Sequence, residues 1–326
     1  MYMRRCLQLA RCGREHAAPN PMVGAVIVCG GRIIGESYHQ CCGGPHAEVN
    51  AVRSVADPRQ LSQSTLYVSL EPCAHYGKTP PCARLIIETG IPRVVVGCRD
   101  PFPRVDGRGI DMLRKAGVKV SVGVLEEECR WLNRRFITFH TLRRPYITLK
   151  WAQSCDGFLD RRRTSAEEPA LRFSTSVTQA LVHRLRAENE AILVGRRTWE
   201  LDCPSLTVRH WHGNHPLPVV VGGGGYRMGR DALAAGAAEA ENTISEGDCL
   251  TALMAELHRR GVQSLLVEGG ARTLQQFIDR GLWDEARVET APVTLREGVA
   301  APHIVGRTGK KLLIDGNTIT YIYKNS

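Results

Sequence analysis

The chain has 326 residues, 43% hydrophobic and 23% charged, which fits two domains of roughly 100–200 residues each and excludes a disordered or collagen-like chain. No apolar run nears the ~18 residues of a membrane helix; Met22–Cys29 comes nearest and contains Gly24. The net charge of +10 is uneven, with 21 basic against 12 acidic residues in 1–144 and 22 against 21 in 145–326, so the first part suits an anionic partner, nucleic acid or a small phosphorylated substrate, unless the excess is plain arginine bias.

From the amino terminus, Arg4-Arg5 precede Leu7-Gln8-Leu9-Ala10-Arg11. That stretch is too polar for a signal-peptide core, and a cytoplasmic protein of bacterial type is expected. Met3, Cys6, Leu7 and Ala10 follow helical spacing, with Gly13 placed as a C-terminal cap. Met22–Cys29 reads as a strand turning through Gly30-Gly31 into Arg32–His39. A helix is predicted from Pro45, since proline suits the first helical position, to about Ala56. There follow a strand over Ser64–Leu70, a helix over Cys82–Thr89 ending at Gly90, and a strand over Arg93–Gly97. A helix over Ile110–Lys115 ends at Gly117 and leads into a strand over Val118–Val124. This alternation implies a sheet with helices on both faces. Asn133–Arg144 is rich in arginine without clear periodicity and ends at Pro145, so the domains are expected to span 1–145 and 146–326.

The second part restarts with a strand over Tyr146–Trp151. Ala191–Gly195, Val219–Val221 and Ser264–Val267 are further short strands, and Val177–Ala187, Leu250–Arg260 and Ala271–Arg280 read as helices. Gly236–Glu246 reads as a surface loop. Lys311–Asp315 and Thr318–Tyr323 form a hairpin around Gly316-Asn317. The result is a second α/β domain.

Twelve cysteines scattered through a chain without an export signal speak for metal ligation or burial, not for a disulfide framework. His46-Ala47-Glu48, Pro72-Cys73 and Cys82 supply one imidazole and two thiolates. Such a set holds zinc and leaves a fourth position for water, which the metal acidifies. Glu48, in the first helical turn, stands where a proton shuttle is wanted. His-x-Glu followed by Pro-Cys and a later Cys is the zinc-deaminase signature. A structural site whose fourth position is closed by His75 or Cys41 is the alternative. His75, Lys78 and Thr79 sit between two metal ligands and are donors suited to a pyrimidine ring and a phosphate. Asn20, between two prolines, offers an amide to a base edge. A solvated lysine and a simple turn residue are the plainer readings of Lys78 and Asn20.

Four motifs in order carry a family resemblance. They are Pro19-Asn20-Pro21-Met22-Val23-Gly24, His46-Ala47-Glu48-Val49, the long Glu71–Cys82 segment, and Asp100–Gly109. On them the first domain resembles the deaminase half of the bifunctional riboflavin-biosynthesis deaminase/reductase family. Phe102 stands where that family often has asparagine. The resemblance implies a cytidine-deaminase-like three-layer α/β/α fold, zinc on His46, Cys73 and Cys82, Glu48 as the catalytic group, and Asp100 at the substrate.

The second domain resembles the family's other half, a dihydrofolate-reductase-like α/β domain that reduces a ribosyl group to ribityl with NADPH. The matching stretches are Lys150–Gly157, Leu185-Arg186-Ala187, Ala191–Gly195, Thr198 to Arg209, Val267-Glu268-Gly269-Gly270 and Leu282–Glu285. The amides at the helix start after Gly269-Gly270 suit a dinucleotide phosphate. The resemblance implies NADPH contacts at Gln153, Thr198, Asp202, Gly269, Gly270, Ala271 and Arg272. It implies substrate contacts at Arg186, Leu206, Arg209 and Glu268. Gly222–Gly225 departs from it, standing where the family has an aspartate, and Arg172-Phe173-Ser174-Thr175 stands where many members have Trp-Ile followed by Thr or Ser.

The expected function is therefore hydrolytic deamination of a diaminopyrimidinone ribosylamine phosphate, then NADPH-dependent reduction of its ribose. The competing readings are a deaminase with a degenerate reductase domain, a nucleic-acid deaminase of the tRNA type, and a zinc-stabilised binding module. The expected partners are the small phosphorylated pyrimidine and further copies of the chain in a homo-oligomer, with neither membrane nor nucleic acid.

Overall fold

The computed structural model describes residues 1–74, 80–101, 107–230, 242–243 and 249–325. The chain divides into two compact units, Met1–Arg143 and Arg144–Ser326. The first unit runs α1 (Tyr2–Arg11), β1 (Gly24–Cys29), β2 (Arg32–Tyr38), α2 (Ala47–Arg53), a 3-10 turn (Pro58–Gln63), β3 (Thr65–Leu70), α3 (Cys82–Glu88), β4 (Arg93–Cys98), α4 (Arg108–Lys115), β5 (Lys119–Val122), α5 (Glu126–Leu132) and α6 (Arg134–Leu142). Its sheet has the order β2-β1-β3-β4-β5. β1 lies antiparallel to β2 and β3, and β3, β4 and β5 are parallel.

Strand alternation sends side chains to two cores. Ala25, Ile27, Leu66, Val68, Val94 and Val96 pack with Ala47 and Ala51 of α2, Ala83 and Ile86 of α3 and Leu113 of α4. On the other face Val26 and Val28, with Tyr67 and Val95, meet Met3, Cys6, Leu7 and Ala10 of α1, and Leu70 and Cys98 at the strand ends join them with Cys129 and Leu132 of α5. A strand buried on both faces reads as a continuous apolar run, which is why β1 is visible in the sequence.

Two local expectations are corrected. Gly13 is not a left-handed cap. Cys12 closes α1 in the right-handed region, and a side chain on Gly13 would meet His39 O at 2.6 Å, so the position needs space. The segment Asn133–Arg144 forms a helix, α6, which follows α5 directly and buries only Phe136 and Ile137, too few to print a period through its polar faces. Between the helices Asn133 accepts from Met22 N and donates to Met22 O, both at 2.9 Å, which ties this junction to the approach to β1.

The second unit runs β6 (Tyr146–Gln153), β7 (Phe158–Asp160), α7 (Ser176–Ala187), β8 (Ala191–Gly195), α8 (Arg196–Asp202), β9 (Leu217–Gly222), β10 (Gly225–Met228), β11 (Asn242–Thr243), α9 (Cys249–Arg259), β12 (Ser264–Gly269), α10 (Ala271–Asp279), β13 (Glu285–Thr290), β14 (Val299–Ala300), β15 (Arg307–Ile314) and β16 (Asn317–Tyr323). The large sheet has the order β11-β10-β9-β8-β12-β6-β13-β16-β15. Its centre, β9 to β13, is parallel and its flanks are antiparallel. One face packs on α9 and α10 through Leu253, Leu257, Leu274 and Phe277. The other holds Ile192, Val194, Val220 and Leu266 against Leu185 and Trp199.

Gly222 and Gly225 pair as the last rungs of the β9–β10 hairpin. Gly223-Gly224 is its two-residue turn, at φ 67° and 77°, the geometry that needs glycine. The carboxy-terminal hairpin turns one residue earlier than expected, at Asp315-Gly316 (φ 50° and 82°). Asn317 opens β16, buried, and donates to Phe173 O and Glu289 Oε1. The expected loop over 236–246 lies largely outside the described residues, and its Asn242–Thr243 pair is β11.

Arg144 closes a mostly buried ion pair, with NH1 2.6 Å and NH2 2.8 Å from the two oxygens of Asp284. Asp284 also accepts from Ile147 N at 2.8 Å, which fixes the start of β6. Asp284→Ala strands a buried guanidinium and is expected to cost about 3–5 kcal/mol, read as a lower urea midpoint of the second unit. An unchanged midpoint would show the pair to be idle.

Candidate active sites

His46 is the N-cap of α2, extended at φ −70° and ψ 163°, and Cys82 is the first residue of α3. Cys73 follows β3 by three residues. Three separate segments thus bring donors together. Cys73 Sγ and Cys82 Sγ lie 3.6 and 3.3 Å from His46 Nδ1, and all three atoms fall within 4.8 Å of one another. A tetrahedral ion with bonds of about 2.3 Å to sulfur and about 2.0 Å to nitrogen has S–N edges of about 3.5 Å. The donor set therefore fits zinc. Cys82 N donates to Cys73 Sγ at 3.3 Å, as a thiolate ligand requires. A hydrogen bond from the Cys82 thiol, then His46 and the Cys82 amide, draw Cys73 down to about 4 against its burial.

Glu48 is one residue into α2 and 3% exposed. Burial, then the Cys73 sulfur, push its carboxyl up to about 7. A buried carboxyl beside a three-donor metal site is placed for proton transfer. Asn20 Nδ2 donates to His39 Nε2 at 3.0 Å, and His39 Nδ1 donates to Pro45 O at 3.1 Å. Burial pulls His39 below its usual range, so it stays neutral and can accept from Asn20. The His39 and His46 rings meet edge to face at 5.6 Å. The expected reader of the base edge is thus held beside the metal ligands by a histidine that its sequence context does not single out. Asp100 is buried and its N–H points to Glu71 Oε2 at 3.4 Å. His75, Lys78, Thr79 and Phe102 lie outside the described residues.

In the second unit the reductase candidates fall into two groups. Glu268 sits at the end of β12 and accepts from Arg186 through both oxygens, at 2.8 and 2.6 Å. Arg186 NH1 also reaches Thr207 O at 3.1 Å. Three of its five N–H groups are thus engaged, and the guanidinium orders Glu268. Burial pushes Glu268 up, but Arg186 outweighs it and the carboxyl lies below its usual range. Arg209 is exposed, and its backbone N–H is fixed by His183 Nδ1 at 3.0 Å. Leu206 is the next expected substrate contact. It is 1% exposed and packs with Ile192 and Val194, at φ 49°, so its side chain serves the core.

The second group surrounds the turn after β12. Gly270, at φ 72°, precedes α10, which has no side-chain cap, so the helix start suits a dinucleotide phosphate. Ala271 and Arg272 begin that helix. A side chain on Gly270 would meet Thr198 Oγ1 at 3.0 Å, and one on Gly269 would meet Val194 and Thr198, so Thr198 lies against the turn. Asp202 accepts from Arg163 NH2 at 2.5 Å, and Arg163 also donates to Asp160 and to Glu168 O. Gln153 Oε1 accepts from Trp151 Nε1 at 2.7 Å. Lys150, in register with Arg287 on β13, is a mostly buried lysine whose ammonium burial pulls down.

Comparison with known proteins gives one consistent result. The RibD C-terminal domain family matches residues 145–321. The cytidine and deoxycytidylate deaminase zinc-binding region matches residues 1–98. The riboflavin biosynthesis protein RibD of Aquifex aeolicus is 38% identical over 320 residues, covering 92% of this chain and 88% of its own. That of Synechocystis is 34% identical over 345 residues, covering 99% and 92%. The crystal structure of a diaminohydroxyphosphoribosylaminopyrimidine deaminase/5-amino-6-(5-phosphoribosylamino)uracil reductase from Thermotoga maritima superposes with TM-score 0.84 at 33% identity, covering 99% and 98%. Acinetobacter baumannii RibD does so with TM-score 0.84 at 30% identity, covering 100% and 98%.

Two predictions follow from this geometry. The purified chain is expected to hold one zinc, and Cys73→Ala to lose it by elemental analysis; full zinc in that variant would break the ligand set. His183 is pulled down to about 4, by burial first and then by Arg186. The unfolded chain, with His183 near 6.5, therefore binds the extra proton more readily between pH 6.5 and 4. Its contribution to stability is present above pH 6.5 and is lost as pH falls toward 4. Acid unfolding of wild type should steepen in that window, and His183→Gln should flatten it. Parallel curves would exclude the role.

Proposed function

The chain belongs to the RibD family of riboflavin-biosynthesis proteins, and from that premise we propose how its own residues divide the family's two reactions. The enzyme is a bifunctional deaminase and reductase of riboflavin biosynthesis, using zinc and NADPH. The first unit deaminates the diaminopyrimidinone ribosylamine phosphate, and the second reduces the ribosyl group of the resulting aminouracil to ribityl.

For deamination, His46, Cys73 and Cys82 hold the zinc, which when bound supplies Lewis acidity to the attacking water. Glu48 takes a proton from that water and returns it to the departing amine, so ammonia leaves neutral. Its burial keeps bulk water from competing for the proton. Asn20, held by His39, presents its amide to the ring edge. Asp100, His75, Lys78 and Thr79 complete the substrate contacts.

For reduction, the uncapped start of α10 receives a phosphate of NADPH, which supplies the hydride. Thr198, Gly269, Gly270, Ala271 and Arg272 form that end of the cofactor site, with Gln153 and Asp202 beside it. Glu268, kept ionised by Arg186, accepts a ribose hydroxyl, and Arg209 takes the substrate phosphate. No disulfide joins any of the twelve cysteines, and a reducing cytoplasm is the proposed compartment. Among the described residues β15 is the outermost strand of the large sheet and carries exposed Leu313, with exposed Val305 just before it, which supports a homo-oligomer.

The observation that carries this reading is the buried Glu48 one turn from a three-donor site. Glu48→Gln keeps size and shape but cannot shuttle a proton. It should retain zinc, lose roughly 10²–10⁴-fold in ammonia release, and still reduce supplied deaminated substrate. Glu268→Ala should do the reverse. Undiminished ammonia release by Glu48→Gln contradicts the assignment of the base, and coupled loss of both activities contradicts the division of labour.

A further inference from the structure

Glu71 is the first residue beyond β3 and stands two residues before Cys73. Its side chain is not a metal donor and takes no part in the steps above, yet it is 4% exposed. Its two oxygens accept four backbone N–H groups. Oε1 takes Gly109 N at 3.0 Å and Ile110 N at 3.3 Å. Oε2 takes Gly107 N at 3.1 Å and Asp100 N at 3.4 Å. We infer that Glu71 is a positioning residue of the deaminase site, a distant helix cap that fixes α4 and Asp100 against the loop carrying Cys73.

The local sequence of α4 explains why a distant carboxylate is needed. A helix start leaves its leading N–H groups without intrahelical partners, and a Ser, Thr, Asp or Asn at the cap normally satisfies them. The cap here is Gly107, left-handed at φ 79°, with no side chain to offer. Glu71 supplies the missing acceptor to Gly109 and Ile110 from 38 and 39 residues away. Its negative charge also meets the positive end of the helix.

A second contact makes the joint rigid. A side chain on Gly109 would meet Pro72 O at 1.9 Å. The first turn of α4 therefore rests directly on the loop that leads into the metal ligand. Glu71 N in turn donates to Cys98 O at 3.0 Å, so the residue is anchored to β4 as well. Asp100 and Gly107, on either side of residues 101–106, are two of the four donors. The carboxylate thus sets the distance between a proposed substrate contact, Asp100, and the metal loop.

Four N–H donors call for a group that only accepts. An ionised carboxylate does so, whereas an amide of the same shape turns an NH2 against two of the donors. Glu71→Gln therefore releases one side of the joint without removing bulk. None of the three metal donor atoms is altered. This inference rests on the deaminase reading of the first unit and is separable from it by the controls below.

The test uses the full chain and four readouts: zinc content, ammonia-release kinetics, reduction of supplied deaminated substrate, and amide hydrogen exchange at residues 107–110. Glu71→Gln is expected to keep one zinc and unchanged reduction. Its deamination kcat/KM should fall about 100-fold, the scale of an ångström misplacement, with KM carrying most of the loss. Its amides at Gly107, Gly109 and Ile110 should exchange faster. Glu71→Asp, which retains both oxygens, should recover part of the loss. Gly109→Ala, which prises the joint open while leaving Glu71 in place, should reproduce the KM signature and keeps the test alive if Glu71→Gln does not fold. Unchanged deamination kinetics in Glu71→Gln overturn the inference. So does zinc loss in proportion to activity, which would make Glu71 a prop of the metal site alone. If the wild-type chain itself releases no ammonia, the deaminase reading fails, an outcome distinct from a wild type and variant that turn over alike.

Discussion

Three donor atoms from three segments must close to within bonding distance of one ion, and the first unit is arranged around that demand. α2 and α3 start beside the same sheet, so their first residues, His46 as cap and Cys82 as first turn, face one another. β3 delivers Cys73 between them. The small residues Ala47, Ala51 and Ala83 let both helices lie close on the strands. Glu48 is buried as a consequence of standing next to the cap. A carboxylate and two thiolates packed this tightly would repel one another. A dication removes that cost and leaves Glu48 as the group free to carry a proton.

The second unit solves a different problem with one ion pair. Glu268 sits at the carboxyl end of a central parallel strand, where ligands of open α/β sheets bind. Left alone there it would take up a proton. Arg186, on α7, binds both its oxygens and holds it charged. His183, one turn earlier on the same helix, is kept neutral and fixes the backbone of Arg209. One face of α7 therefore sets both a carboxylate and an arginine, and neither residue depends on the metal site.

The sequence reveals the parts of this that depend on residue type and hides those that depend on distant partners. A zinc site needs His and Cys, so His46, Cys73 and Cys82 are legible from spacing. Strands such as β1 and β8 are legible because both their faces are buried. The α5–α6 pair is hidden, since Asn133 and a thin apolar stripe tie it to β1 through contacts over a hundred residues away. The pairing of Arg186 with Glu268 is hidden as well, because the two lie 82 positions apart. Leu206 sits in a motif but spends its side chain on the core. Asn317 reads as a turn residue, where asparagine is common, although the carboxylate of Glu289 claims it. Glu71 reads only as part of a motif, because its four partners come from the far side of β4.

The central claim is that one chain carries two working sites, consecutive on one substrate. The most direct measurement incubates the zinc-loaded wild-type chain with the diaminopyrimidinone ribosylamine phosphate and NADPH, and follows ammonia and NADPH together. The account predicts ammonia first, then NADPH oxidation, converging on one equivalent of each per substrate consumed. Ammonia release without any NADPH oxidation, or oxidation of NADPH without ammonia, would contradict it.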